Sequence, residues 1–267
     1  MVFADAYDVV KNFTCPVVVS NRMWDGTVSC AIAAFVVLND DGWFATAAHN
    51  LGPWFAWQQH QEHIARHQEQ GGTPNPKWIT NHSFWWGRDG LNLAEVHLRN
   101  ESDLALGRLE PFEPGIVSQY PVVKEPVSLR PGTSLCRLGF PFHALTAAWD
   151  DQTEQFQLPV GALPAPLFPI EGIFTREVRV EGSPRPCFIE TSSPGLRGQS
   201  GGPVFDPQGR LWGIQSRTRH LDLGFSPQLE AAGEQVTEHQ FLNVGLAVHP
   251  AELLDLANHK HITVMVG

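Results

Sequence analysis

The residues best suited to chemistry are a serine, a histidine and an aspartate, each in a telling local context. Ser200 stands in Gly198-Gln199-Ser200-Gly201-Gly202-Pro203-Val204, just ahead of an apolar run. Glycine lacks a Cβ, so it accepts positive φ and close backbone approach. Glycines on both sides therefore suit a tight loop that exposes one hydroxyl and turns backbone N–H groups toward a single point. Such a point can hold a developing oxyanion. The plainer reading is a glycine-rich hairpin turn, and the other two residues decide between them. His49 ends the run Trp43-Phe44-Ala45-Thr46-Ala47-Ala48, whose paired alanines leave room around a ring. Taken alone, a histidine of this kind is more often a satisfied core residue than a functional one. Asp103 precedes Leu104-Ala105-Leu106, placing a carboxylate at a strand entrance, where it needs a hydrogen-bonding partner. An imidazole N–H would serve.

Read together, Thr46-Ala47-Ala48-His49, Ser102-Asp103-Leu104-Ala105-Leu106 and Gly198-Gln199-Ser200-Gly201-Gly202-Pro203-Val204 resemble the trypsin/chymotrypsin-like serine peptidases. The chain order His, Asp, Ser also matches that family and differs from the subtilisin-like and α/β-hydrolase orders. The resemblance runs from about Cys15 to about His249. It implies an all-β fold of two antiparallel six-stranded barrels, with a C-terminal helix and a partly helical insertion. His49 and Asp103 would come from the first barrel and Ser200 from the second. Ser200 would be the nucleophile, His49 the base and then the acid, and Asp103 the group fixing the imidazole tautomer. The N–H groups of Gly198 and Ser200 would form the oxyanion hole. Pro194 and Leu196 would floor the substrate pocket, Ser216 would sit near Asp103, and Arg217 and Thr218 would pair with substrate backbone as an added strand.

Departures from the family pattern narrow the expectation. A trypsin-type pocket needs an acid six positions before the serine, and here that residue is Pro194. Cleavage after Lys or Arg is therefore not expected, and Leu196 suggests a modest apolar pocket. Gln199 replaces the aspartate that pairs with a newly cut N-terminus in animal enzymes, so activation by that route is not expected. Asn50 follows the histidine where those enzymes carry a disulfide cysteine. The Arg-Gly-x-Ser-Gly-Gly core and Leu138-Gly139-Phe140-Pro141 are closer to the bacterial HtrA-like subgroup, here without a PDZ module. The resemblance implies a serine endopeptidase acting through an acyl-enzyme. The alternative is a catalytically silent trypsin-like fold that binds peptide or protein.

The elements that must position these residues are short. Twenty-four glycines and 21 prolines are spread along 267 residues, favouring strands joined by turns over long helices. Asn39-Asp40-Asp41-Gly42 is a hairpin signal, because Asp and Gly tolerate positive φ. The whole chain reads as one peptidase domain: about 15–120 for the first barrel with an insertion at 52–99, 121–248 for the second, and 249–267 for a C-terminal helix and tail. Within the insertion, Trp54–His67 reads as a helix carrying His60, His63 and His67 at helical spacing. Three histidines on one face could hold zinc, but their Gln, Glu and Arg neighbours and the absence of a cysteine partner favour a solvated face, so no metal is expected. Trp78, Phe84, Trp85 and Trp86 read as packing that pins the insertion down. The stretch 143–170, with four prolines between 159 and 169, reads as a long loop that walls the cleft or meets a partner, and 219–236 as a polar loop.

Composition sets the bounds. A net charge of −10 argues against nucleic acid and anionic membranes as partners. Cys15, Cys30, Cys136 and Cys187 lie far apart without a C-x-x-C pair, and read as small hydrophobes in a reducing compartment. No signal-like N-terminus or membrane-length apolar run is present, so a cytoplasmic bacterial-type protein is the default expectation. No cofactor is implied. The expected partners are a polypeptide substrate and, through the long loop, a regulatory protein.

Overall fold

The structure is a computed structural model, and it describes residues 2–126, 129–226, 228–231, 234–237 and 240–267. Val127 and Ser128, at the start of the segment leading to Leu138-Gly139-Phe140-Pro141, lie outside the described residues.

A short helix, α1 (Phe3–Val10), precedes the first sheet. That sheet comprises β1 (Thr14–Met23), β2 (Val28–Val37), β3 (Trp43–Ala47), β4 (Ile79–Trp85), β5 (Asn92–Arg99) and β6 (Leu104–Glu110). All its pairings are antiparallel, in the spatial order β4-β1-β2-β3-β6-β5. The expected turn joins β2 to β3. Asn39 Oδ1 accepts from the N–H groups of Asp41 and Trp43, both at 3.1 Å, and Gly42 takes φ +82°. Inside the curved sheet Phe35, Phe44 and Trp86 meet with ring centroids 4.8–5.4 Å apart.

The second sheet uses β7 (Val122–Val123), β8 (Ser134–Arg137), β11 (Ile170–Val178), β12 (Phe188–Thr191), β13 (Pro203–Phe205), β14 (Leu211–Asp222), β17 (Phe241–Val248) and β18 (Met265–Val266). Between them stand two hairpins, β9 (Ala148–Asp150) with β10 (Gln155–Gln157), and β15 (Gln228–Ala231) with β16 (Glu234–Thr237). The ladder β13-β8-β11-β12-β17-β14 returns to β13, closing a six-stranded barrel. With the first sheet forming a half-barrel, this is the expected two-barrel architecture.

Two expectations are corrected. Of the stretch 52–99 set apart as an insertion, β4 and β5 are integral strands of the first sheet; the addition is helix α2 (Gly52–Gln70) and the loop after it. The helix pattern hid this, because β4 needs α2 to cover its outer backbone. Trp57 Nε1 donates to Thr80 O, Gln61 Nε2 to Ile79 O and Thr80 O, and Ile79 N–H donates to His60 Nδ1. A bare strand edge would otherwise template aggregation. His63 and His67 rest their rings on Trp78, each at 5.9 Å. Second, 219–236 is not one loop: β14 runs through Asp222 on β17, and the β15–β16 hairpin follows.

The two halves share a core in which Val36, Leu38 and Leu104 cluster with Phe205, Leu211 and Ile214, and polar contacts join them as well. The β9–β10 hairpin reaches β1, where the Arg22 guanidinium lies 5.2 Å over Trp149 and 3.1 Å from Asp151 Oδ1. Helix α3 (Pro250–His259), its first turn capped by His249 Nδ1 accepting from Ala251 N–H, carries the buried Glu252. Arg99 from β5 and Arg185 from the second half both reach Glu252 and Asp255, at 2.7–3.2 Å. The serine loop is a further junction. The four cysteines are free, with Cys136 and Cys187 buried and Cys15 and Cys30 partly so. No helix among the described residues is long and apolar enough to cross a membrane.

Candidate active site

His49 falls in a single 3-10 turn, Ala48–Leu51, directly after β3. Asp103 enters β6 with φ +55°, a left-handed conformation that Asp tolerates better than most residues. That twist lets one residue hold the histidine by backbone and side chain together. Asp103 O accepts from Ala48 N–H at 2.9 Å, Asp103 Oδ1 from His49 N–H at 3.0 Å, and Asp103 Oδ2 from His49 Nδ1–H at 2.8 Å. Ser216 Oγ–H donates to the same Oδ2 at 2.5 Å. Burial alone would push the Asp103 carboxyl up, but the bonds and charge of His49 and the bond from Ser216 prevail and hold it below its ordinary 3.8. With Nδ1 committed to Asp103, the imidazole presents Nε2 to the cleft from a side chain half exposed to solvent.

Ser200 is tied to both halves. Its carbonyl accepts from Ala34 N–H on β2 at 2.9 Å and from Asn50 Nδ2 at 3.1 Å, and Asn50 is itself held by Thr46 Oγ1. Gly201 N–H donates to Gln215 O, and Gln215 N–H to Gly202 O. The glycines are required by space. A Cβ on Gly201 would lie 2.0 Å from Ala34 O, and one on Gly198, at φ +92°, 2.3 Å from Phe140 O. The Ser200 hydroxyl donates to Ser216 O at 3.2 Å. The N–H groups of Gly198 and Ser200 have no acceptor among the described residues.

His49 and Ser200 line one cleft of about 650 Å³, and so do Pro194, Leu196, Ser216, Arg217 and Thr218, each expected there from the sequence. Beyond Gln215, whose backbone still bonds to Gly201 and Gly202, β14 has β17 as its one ladder partner among the described residues, so its other edge is open beside this cleft. Sequence reasoning missed several participants. Gln215, His220 and Asn243 also line the cleft, and His220 is brought to Asn243 only by the β14–β17 register. Thr46 and Asn50, which hold the serine carbonyl, carry no sequence signal beyond lying near His49.

A double β-barrel with this cleft at its junction defines the class of serine peptidases. The family model for the trypsin-like peptidase domain matches residues 33–214, a span that includes His49, Asp103 and Ser200. The chain belongs to that family. Among solved structures it is similar to the Rv3671c protease from M. tuberculosis in its active form, with a TM-score of 0.53 over 98% of this chain and 86% of that one; identity is 13%, so the likeness is one of fold. A search of curated proteins found no significant match.

Proposed function

We propose that the protein is a serine endopeptidase that cleaves polypeptides through an acyl-enzyme. The observation that carries this reading is the convergence of Ser216, Asp103 and His49 through hydrogen bonds of 2.5 and 2.8 Å, in a cleft shared with Ser200. Rotation about the Ser200 Cα–Cβ bond takes Oγ from Ser216 O toward His49 Nε2. Oγ then attacks the scissile carbonyl carbon while Nε2 receives its proton, and Asp103 stabilises the resulting imidazolium. The carbonyl oxygen gathers negative charge beside the N–H groups of Gly198 and Ser200. His49 returns the proton to the leaving amine. Water, activated by the same imidazole, then releases the acyl group from Ser200 Oγ. The substrate backbone lies along the open edge of β14 at Ser216, Arg217 and Thr218. Among the described residues no carboxylate lines the cleft, and Pro194 stands where a trypsin-type pocket has an acid, so specificity for Lys or Arg is not supported.

A fluorophosphonate probe tests the reading. Labelling of the native protein that vanishes in Ser200→Ala supports it. Native protein labelled no more than Ser200→Ala overturns it in favour of a peptide-binding fold.

A further inference from the structure

The walls of the cleft beside Ser200 are polar in one consistent way. Gln215, only 2% exposed, donates from Nε2 to Arg217 O at 3.2 Å, which orients its carboxamide, and its buried Oε1 has no partner among the described residues. Its amide fits there because residue 195 is glycine; a Cβ at Gly195 would lie 2.1 Å from Gln215 Nε2. Thr218 spends its hydroxyl proton on Gly195 O, leaving its oxygen as an acceptor. His220 Nδ1 is 2.6 Å from Asn243 Oδ1. Because that oxygen can only accept, the imidazole carries its proton on Nδ1 and, when neutral, offers Nε2 as an acceptor. Asn243 keeps its Nδ2 donors.

We propose that this pocket receives a carboxamide side chain, Gln or Asn, on the residue before the scissile bond. The inference rests on the serine-peptidase reading for the chemistry, and on Gln215, Thr218, His220 and Asn243 for the choice of side chain. A carboxamide is the one ordinary side-chain group that brings N–H donors to acceptors such as Gln215 Oε1 and an oxygen to the Asn243 donors. A carboxylate would gain from Arg197 and Arg217, which line the cleft, but it brings only acceptors and would face Gln215 Oε1 and Thr218 Oγ1 without a proton between them. An ammonium or guanidinium brings donors, but its charge would enter a cleft lined by Arg197 and Arg217 with no carboxylate among the described lining residues to pair with. A leucine leaves the buried acceptor unpaired, and polar groups left in that state are what make a hydrogen-bonding site selective.

Two measurements test it. Quenched fluorescent peptides differing only at that residue (Gln, Asn, Glu, Lys or Leu) are compared at about pH 8, with kcat/KM for Gln or Asn expected to exceed the other three by about tenfold or more. Equal or better cleavage of the Glu, Lys or Leu peptide overturns the proposal. Gln215→Met, which keeps the length and removes the acceptor, is expected to narrow the Gln-to-Leu ratio; fluorophosphonate labelling of the variant reports that its site is still formed, and an unchanged ratio in labelled protein overturns the role of Gln215. The second measurement needs no catalysis. Ser200→Ala protein should bind a product peptide ending in Gln about tenfold more tightly than one ending in Glu or Leu. If the native protein resists the probe yet this preference holds, the endopeptidase reading fails and the pocket assignment stands. If the probe labels and both preferences are absent, the pocket assignment alone fails.

Discussion

Gln199 Nε2 donates to the carbonyl oxygen of Phe168 at 3.2 Å, from a residue with no solvent exposure. Its Oε1 accepts from Leu196 N–H at 3.0 Å, so one neutral carboxamide ties the serine loop to the end of the 143–170 segment and to the preceding turn. These bonds flank Gly198 and Ser200, whose N–H groups must share an orientation to hold an oxyanion. Gln199 anchors the loop through these two bonds from the position where the sequence comparison with animal enzymes expects an aspartate. Gln199→Leu should leave Phe168 O and Leu196 N–H, both only part-buried, without these partners, each at a cost of about 1 kcal/mol. Turnover should drop by about 10²–10³, as when an oxyanion donor is lost, with a much smaller change in KM. Steady-state kinetics beside a melting curve would check this.

Asp103 holds the histidine turn through three acceptors, two for His49 and one for Ala48 N–H, and Ser216 steadies the carboxylate in turn. Asp103→Asn is expected to lower kcat by about 10⁴ while leaving the fold intact, because the histidine is then held in the wrong tautomer. Ser216→Ala removes one hydrogen bond to a charged group, worth about 1.5–3 kcal/mol, and should slow turnover by about 10- to 100-fold. Finding the two variants equally impaired would show that Ser216 acts on more than the carboxylate.

The same carboxylate sets an acid limit on stability. Its folded value lies below the ordinary 3.8, so its contribution is fully present above that pH and is lost as pH falls through the folded value. Denaturant midpoints of the native protein should therefore fall more steeply between about pH 5 and 3 than those of Asp103→Asn. Parallel slopes for the two proteins would contradict the sign of the shift.

Helix α3 carries a buried carboxylate, Glu252, neutralised by one arginine from each half. Replacing Arg99 and Arg185 together by alanine leaves that charge uncompensated, and breaking a buried pair in this way costs about 3–5 kcal/mol. Chemical denaturation of the double variant measures the loss. Little change would mean that Glu252 escapes to solvent when the arginines go.

His60, His63 and His67 stand on one helix face; His60 Nδ1 accepts from Ile79 N–H and its ring lies 6.3 Å from that of His63, while His63 and His67 both pack on the Trp78 ring. Prolonged chelation should leave the melting temperature and the activity unchanged. Zinc recovered at one equivalent from purified protein would reverse this assignment.

How much was legible in the sequence follows from how local each signal is. Gly198, Gly201 and Gly202 announce a constrained loop because glycine alone fits its backbone, and Asn39-Asp40-Asp41-Gly42 announces a turn through its own side chain and φ. His49 and Asp103 were recognisable because each adjoins a short apolar strand, and with Ser200 they follow a family order. The β4 and β5 strands were hidden, since their half-polar composition reflects cover by α2 on one and ion pairs on the other.

Residue types, spacing and chain order by themselves pointed to the trypsin-like family, to His49, Asp103 and Ser200 as the candidate residues, and to a proline at 194 where a trypsin-type pocket has an acid. Only the tertiary structure decided that Asn50 and Ala34 hold the serine carbonyl, that Gln199 locks the loop to Phe168, and that Gln215, His220 and Asn243 meet in the cleft. Local signals arise from what a few adjacent residues permit their own backbone to do. A pocket wall depends instead on the register between β14 and β17, a partnership of residues more than 20 positions apart that no single stretch encodes.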